Sequence, residues 1–338
     1  MAESEAFTYR GGSVEPGETA NVRYTISETY LGEPLRVPVT IINGAEPGPC
    51  VSLTAAAHGD ELNGIEVVRE VAHEWDLAGL RGALVCIPVL NVPAFIAQER
   101  YLPIYDRDLN RSFPGAPDST SAKRMAYTLF ENFIEPCDLG LDFHTSTRGR
   151  TNMLHVRAEM ERDPVARLAK AFGSNVIIAG EGPEGSLRRE ATDAGSPTIT
   201  VEMGEAHRFQ RELIDRALLG VESVFAEYGL LESPSVNWPG WRTVIDSSEK
   251  TWLRSDVGGI VDMHYERGEI VEAGEAICTL TNPFKEESAP VEAPFTGLLV
   301  GVLENPVVYP GNPLCHLVEL DDDTRRAYRQ SGPTMVAE

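Results

Sequence analysis

The sequence predicts an α/β protein, a mixed sheet flanked by helices, joined to a smaller all-β domain. Three observations carry that expectation. Apolar runs of strand length alternate with helix-period segments through residues 1–235, which implies a sheet with substantial parallel character. A short polar stretch with two prolines, LESPSVNWP at 231–239, then interrupts the alternation as a linker would. Across 240–325 no helix-period run is evident, and two β-rich units align, one starting at Gly258 and one at Thr296.

The elements follow in chain order. Segments 20–27 and 35–42 are alternating or β-branched and separated by Gly and Pro, so they read as strands leading into the sheet. The run VSLTAAA at 51–57 reads as a buried strand, and Leu62, Ile65, Val68 and Val71, recurring every three residues, mark one face of the next helix. A strand at 83–89 precedes an irregular stretch from 91 to 117, long enough to be a functional loop. A helix at 121–134 carries Met125, Leu129 and Phe133 on one face, and 139–143 forms a short strand ending at His144. Strands at 175–179 and 198–203 bracket further helical segments, and a long helix occupies 207–228. The two C-terminal units, GGIVDMHYERGEIVEAGEAICTL and TGLLVGVLENPVVYPGNPLCHL, resemble the halves of the barrel-sandwich hybrid fold of biotinyl and lipoyl carrier domains. Lys285 lies between them, where a carrier's modified lysine sits, but NPFKEES lacks the flanking residues of either carrier class and reads as an exposed loop.

Composition excludes several functions. A chain of 338 residues exceeds the usual single-domain size, consistent with a large and a small unit. No stretch approaches the ~18 apolar residues of a membrane-spanning helix, and MAESEAFTYR lacks the basic and apolar regions of a secretory signal. Five scattered cysteines without a CxxC pair predict reduced thiols in a cytoplasm. The net charge of -23 opposes nucleic acid and anionic membranes, whose phosphates require clustered Lys and Arg. Acid excess with only Lys123, Lys170, Lys250 and Lys285 as lysines is the pattern of a halophilic cytoplasm, although a GC-rich genome also replaces Lys by Arg. Nothing in the composition decides against a homo-oligomer.

The chemistry concentrates at strand ends, where α/β sheets gather their ligands. In His58-Gly59-Asp60-Glu61 an imidazole and a carboxylate three residues apart, at a strand-to-helix junction, can converge on one Zn²⁺ and leave a position for water. The spacing alone is weak, since 7 His give about 0.7 HxxE matches by chance in this chain. A second match, His316 and Glu319, falls in a predicted strand, where i and i+3 point to opposite faces. His144 in LDFHTST is the best third ligand, and Asp142, on the same strand face, can support it. Glu202 in TITVEMGE follows a strand and suits a general base, with Glu205 the competing candidate. The stretch RYLPIYDRDLNRSFPG holds three arginines whose planar forks fit a carboxylate or a polarised carbonyl.

Taken in order, HGDE, DLNRSFPG, DFHTST and VEMGE resemble the succinylglutamate desuccinylase and aspartoacylase family of zinc carboxypeptidase-like hydrolases, over roughly residues 35–230. The β-rich C-terminal segment is also similar to that family's second domain, which restricts access to the site. The resemblance implies one Zn²⁺ per chain held by His58, Glu61 and His144, with Glu202 as the catalytic carboxylate. It implies that Asn110 and Arg111 hold the substrate carboxylate and that Arg100, or its neighbour Arg107, polarises the scissile carbonyl. A tyrosine from the second domain assists in some relatives, and Tyr265 and Tyr309 are the candidates here. The expected reaction is removal of an acetyl- or succinyl-type acyl group from a small anionic N-acyl amino acid, with carboxypeptidase action on small peptides the alternative.

Overall fold

The computed structural model describes residues 4–103, 106–232, 243–245, 250–284 and 288–331. Its centre is four parallel neighbouring strands, Thr198–Gly204, Leu139–His144, Glu46–Ala55 and Arg81–Ile87, all pointing their carboxyl ends the same way. The hairpin partners Pro34–Asn43 and Thr19–Glu28 extend one side antiparallel, and Arg150–Ala158 extends the other. Helices cover both faces, so the central strands are buried on both sides and read as continuous apolar runs. On one face Asn63–His73, Asp163–Phe172 and Arg211–Tyr228 bury Val67, Val71, Leu168, Phe172, Val221 and Phe225 against the sheet. On the other, Ser121–Leu129 and its continuation Phe130–Ile134 pack Met125, Leu129 and Phe133 on Val39, Ile41 and Val85.

Several elements differ from the sequence reading for identifiable reasons. The strand expected at 51–57 stops at Ala55, because Ala56 takes a left-handed backbone (φ 49°) and turns the chain out of the sheet. The first helix buries Val68 and Val71 as expected, together with Gly64 and Val67, while Leu62 and Ile65 are only half-buried, because a strict three-residue spacing drifts around a helix of 3.6 residues per turn. The strand Arg150–Ala158 was not expected at all. Its sequence, RTNMLHVRA, interleaves polar and apolar residues irregularly, since both faces are covered and one of them lines a site.

The C-terminal part is β-rich, as expected, but it is fused to the main sheet. Gly297–Leu303 pairs antiparallel with Arg150–Ala158, and Pro313–Glu319 and Lys250–Arg254 follow outward. A second sheet, ordered Ser288–Glu292, Ala276–Thr281, Gly259–Met263, Val307–Val308, faces this extension. Val271, Ile277, Leu299, Cys315 and Leu317 fill part of the space between, giving a sandwich. A helix, Asp322–Ser331, follows the β-rich region. Its sequence shows no apolar period and is instead tied by i,i+3 pairs, Asp322–Arg325 and Asp323–Arg326. Residues 233–239 of the expected linker, the boundary between 235 and 240, and Lys285 lie outside the described residues. Among those described, no helix is long and apolar enough to cross a membrane.

Candidate active site

Backbone geometry brings the predicted ligands together. His58 and Glu61 occupy the turn between the Glu46–Ala55 strand and the Asn63–His73 helix, and His144 ends the neighbouring parallel strand. Two glycines allow this turn to sit so low. A Cβ on Gly59 would lie 2.1 Å from the carbonyl carbon of Ala94, and one on Gly64 would lie 2.5 Å from the Phe143 Cβ. Glu202 is register partner to His144 on one side and to His155 on the other, so the three side chains share one face across adjacent strands.

Glu61 is the hub. Its Oε1 lies 2.8 Å from His58 Nδ1 and its Oε2 2.8 Å from His144 Nδ1, while Thr145 N–H donates to Oε2 at 3.0 Å and Arg100 donates to Oε1 at 2.6 Å. Each histidine turns its other nitrogen to an aspartate. His58 Nε2 lies 3.2 Å from Asp108, and His144 Nε2 lies 2.8 Å from Asp142, which Thr54 secures with a 2.8 Å hydrogen bond. An imidazole whose Nε2–H is held by a carboxylate presents Nδ1 as a lone pair, which is how metal-binding histidines are oriented. Asp142→Asn is therefore expected to keep the fold and weaken zinc binding roughly 10–100-fold, read by competition with a chromogenic chelator.

The donors fit a metal. The nearest ligand atoms of His58, Glu61 and His144 all lie within 4.8 Å of one another, and all three residues are buried. Among the described residues His58 Nδ1 has no hydrogen-bond partner of good geometry, although Glu61 Oε1 lies 2.8 Å away, which leaves that buried nitrogen open to a metal. Two imidazoles and one carboxylate are a hydrolytic zinc donor set with a place left open. Without a cation, burial raises the Glu61 carboxyl, but the charges of His58, His144 and Arg100 override it and hold the group well below the usual carboxylate range. Burial likewise lowers His144, yet Asp142 and Glu61 drive it well above an ordinary imidazole. The protein has thus concentrated negative charge around both rings.

The cluster opens into a cleft of about 560 Å³. All seven predicted site residues line it: His58, Glu61, Arg100, Asn110, Arg111, His144 and Glu202. Arg107 is exposed and does not line the cleft, whereas Arg100 lines it and contacts Glu61 of the His58–Glu61–His144 cluster. Glu202 accepts a hydrogen bond from Asn152 (3.0 Å) and faces Arg157 at 3.3 Å. Asn110 has structural duties as well. Its Oδ1 accepts from Leu187 N–H at the start of the Leu187–Asp193 helix, and its Nδ2 lies 3.4 Å from His144 Nε2. Neither tyrosine reaches the cleft: Tyr309 is 79% exposed and Tyr265 hydrogen-bonds Glu275. The C-terminal part contributes Lys250, whose Nζ lies 3.5 Å from the Ala179 carbonyl.

Sequence reasoning missed Arg157 and Arg188, which also line the cleft. Arg188 is 6% exposed, donates to the Gly180 carbonyl at 2.8 Å, and forms no ion pair among the described residues. Burial and the nearby Arg157 push its pKa down to about 10. A buried guanidinium facing a cleft without a partner carboxylate is costly unless a ligand supplies the anion.

A histidine–carboxylate cluster beyond the carboxyl ends of parallel strands, opening into a cation-lined cleft, is the layout of a hydrolytic metal centre. Comparison with known proteins narrows the class. The succinylglutamate desuccinylase/aspartoacylase catalytic domain matches residues 47–228, and the chain belongs to that family. The N-alpha-acetyl-L-2,4-diaminobutyric acid deacetylase of Halomonas elongata is 27% identical over 266 residues, 76% of this chain and 77% of that protein. Among solved structures, the ectoine utilization protein EutE (DoeB) from Ruegeria pomeroyi superposes with a TM-score of 0.81 at 21% identity, covering 95% of this chain and 100% of that one. A succinylglutamate desuccinylase from Silicibacter sp. TM1040 gives 0.80 at 23% identity, covering 94% and 100%. These two likenesses establish a shared fold.

Proposed function

We propose that the protein is a zinc-dependent deacylase that removes an acetyl- or succinyl-type group from a small N-acyl amino acid. The observation that carries this reading is the His58–Glu61–His144 cluster opening into the same cleft as Glu202 and a set of cationic side chains. Family membership supports the class of bond cut, and the acetyl-diaminobutyrate specificity of the Halomonas relative favours an acetyl group. The acid-rich, lysine-poor composition fits action in a salt-rich cytoplasm.

His58, Glu61 and His144 would hold Zn²⁺, which when bound supplies a water acidified towards pH ~7 and a Lewis acid for the amide carbonyl. The chain's own residues account for the rest. Glu202, anchored by Asn152, takes the proton of the attacking water and returns it to the amide nitrogen as the C–N bond breaks. Arg100, fixed against Glu61, stands beside the cluster to meet the negative charge that grows on the carbonyl oxygen. Asn110 and Arg111 hold the substrate carboxylate at one side of the cleft, and Arg188 offers a further cation for it. Lys250 brings the C-terminal sandwich to the cleft, which limits entry to small substrates.

Arg188→Met is accordingly expected to raise KM for anionic substrates at least tenfold while kcat falls less, since the cation binds substrate and transition state alike. The overall reading is tested by assaying N-acetyl, N-succinyl and N-formyl amino acids beside C-terminal dipeptides. Turnover of the N-acyl amino acids supports it, and turnover of dipeptides alone identifies a carboxypeptidase.

A further inference from the structure

A close pair of cysteines lies away from the cleft, where the same two strands begin to pair. Cys50 and Cys137 are 87 residues apart in sequence, yet their sulfur atoms are 3.4 Å apart. The contact is built by the backbone. Cys50 N–H donates to the Asp138 carboxylate at 2.7 Å and Asp138 N–H donates to the Cys50 carbonyl at 2.8 Å, clamping the middle of the Glu46–Ala55 strand, just before its pairing begins, to the residue before Leu139–His144. Cys137 is 4% exposed and points its thiol at the Phe133 carbonyl, 3.3 Å away, whereas Cys50 is only partly buried. The other three cysteines, Cys86, Cys278 and Cys315, are buried.

We propose that Cys50 and Cys137 form an oxidisable dithiol that a peroxide converts to an intramolecular disulfide. The sulfur atoms must close by about 1.4 Å to reach the ~2.05 Å of a disulfide bond, a movement within reach of side-chain rotation. Cys50, the less buried of the two, attacks as thiolate one oxygen of hydrogen peroxide, forming an S–O bond and breaking the O–O bond. The departing hydroxide takes a proton and leaves as water. The Cys137 sulfur then displaces hydroxide from the Cys50 sulfenic acid, the S–S bond forms, and a second water leaves with the Cys137 proton. Two thiols are oxidised and one peroxide is reduced to two waters. The product staples the two parallel strands where their pairing begins, with His144 at the far end of one and His58 and Glu61 in the turn after the other, and closes a loop long enough to restrict the unfolded chain strongly.

The test treats the full chain with one to two equivalents of hydrogen peroxide, quenches with an alkylating reagent, and digests it without reductant. The expected result is a 2 Da loss in intact mass, a Cys50–Cys137 cross-linked peptide, and a melting temperature raised by several degrees, on the order expected for a disulfide closing a long loop. In Cys137→Ala the 2 Da loss should vanish and Cys50 should be trapped by dimedone as a sulfenic acid. The proposal is overturned by sulfinic acid on Cys50 beside an unmodified Cys137, by a Cys50-linked dimer, by an unreactive Cys50, or by a 2 Da loss that persists in Cys137→Ala. An unchanged or lowered melting temperature in the cross-linked protein would overturn the staple.

Discussion

Glu202→Gln is expected to retain one metal ion per chain and to lose turnover by roughly 10³-fold or more, the scale of a general acid–base residue. The amide is the same size, and its oxygen can still accept the hydrogen bond that Asn152 gives the native carboxylate. No ligand of the metal cluster is altered, because Glu202 joins it only through strand register with His144. What disappears is the ability to take a proton from water and hand it to the amine. The loss should therefore fall on kcat, with KM little changed. Metal analysis and steady-state kinetics on one preparation separate the two, and near-native turnover would refute the role.

Glu61→Ala is expected to have the larger structural consequence. Glu61 is 1% exposed, lies 2.8 Å from His58 Nδ1, and is hydrogen-bonded to His144, Thr145 N–H and Arg100. Removing it takes away the anionic ligand and leaves the Arg100 guanidinium facing two imidazoles. Metal content should fall to near zero at micromolar zinc, and turnover with it. The metal-free variant should also be less stable than the metal-free parent by about 3 kcal/mol, the scale for breaking one partner out of a buried charged pair. Comparing the two metal-free proteins in denaturant isolates that cost from the stabilisation that bound metal adds. A variant that binds zinc as tightly as the parent would remove Glu61 from the ligand set.

Pattern alone made legible the residues whose chemistry follows an apolar run, whereas Arg100, Asn110 and Arg111, in the irregular stretch, were assigned roles only through the family resemblance. His58, Glu61, His144 and Glu202 each follow an apolar run, so strand register delivers them to one place. The twin motif at His316 shows why that context mattered. Its strand buries His316 in a parallel stack on Trp252 with ring centroids 4.8 Å apart, and burial with the nearby Arg157 and Lys250 pushes its pKa down to about 3. Asp108, the partner of His58, was illegible because the loop that carries it returns from 50 residues downstream, and no local pattern records that approach. Arg157 sits on a strand whose mixed polarity hid it, and Arg188 on a seven-residue helix too short to show a period. The fusion of the C-terminal sandwich to the main sheet was hidden for a related reason. Pairing between Gly297–Leu303 and Arg150–Ala158 spans about half the chain, and strand partners carry no sequence label.

The most direct test of the account is a zinc titration of the metal-free full-length protein, followed by the hydrolysis rate of an N-acetyl amino acid at each addition. The expected result is negligible turnover without metal and a linear rise that levels off at one equivalent of zinc per chain. Full turnover in the metal-free protein, or a titration that leaves N-acyl amino acids untouched, would contradict it.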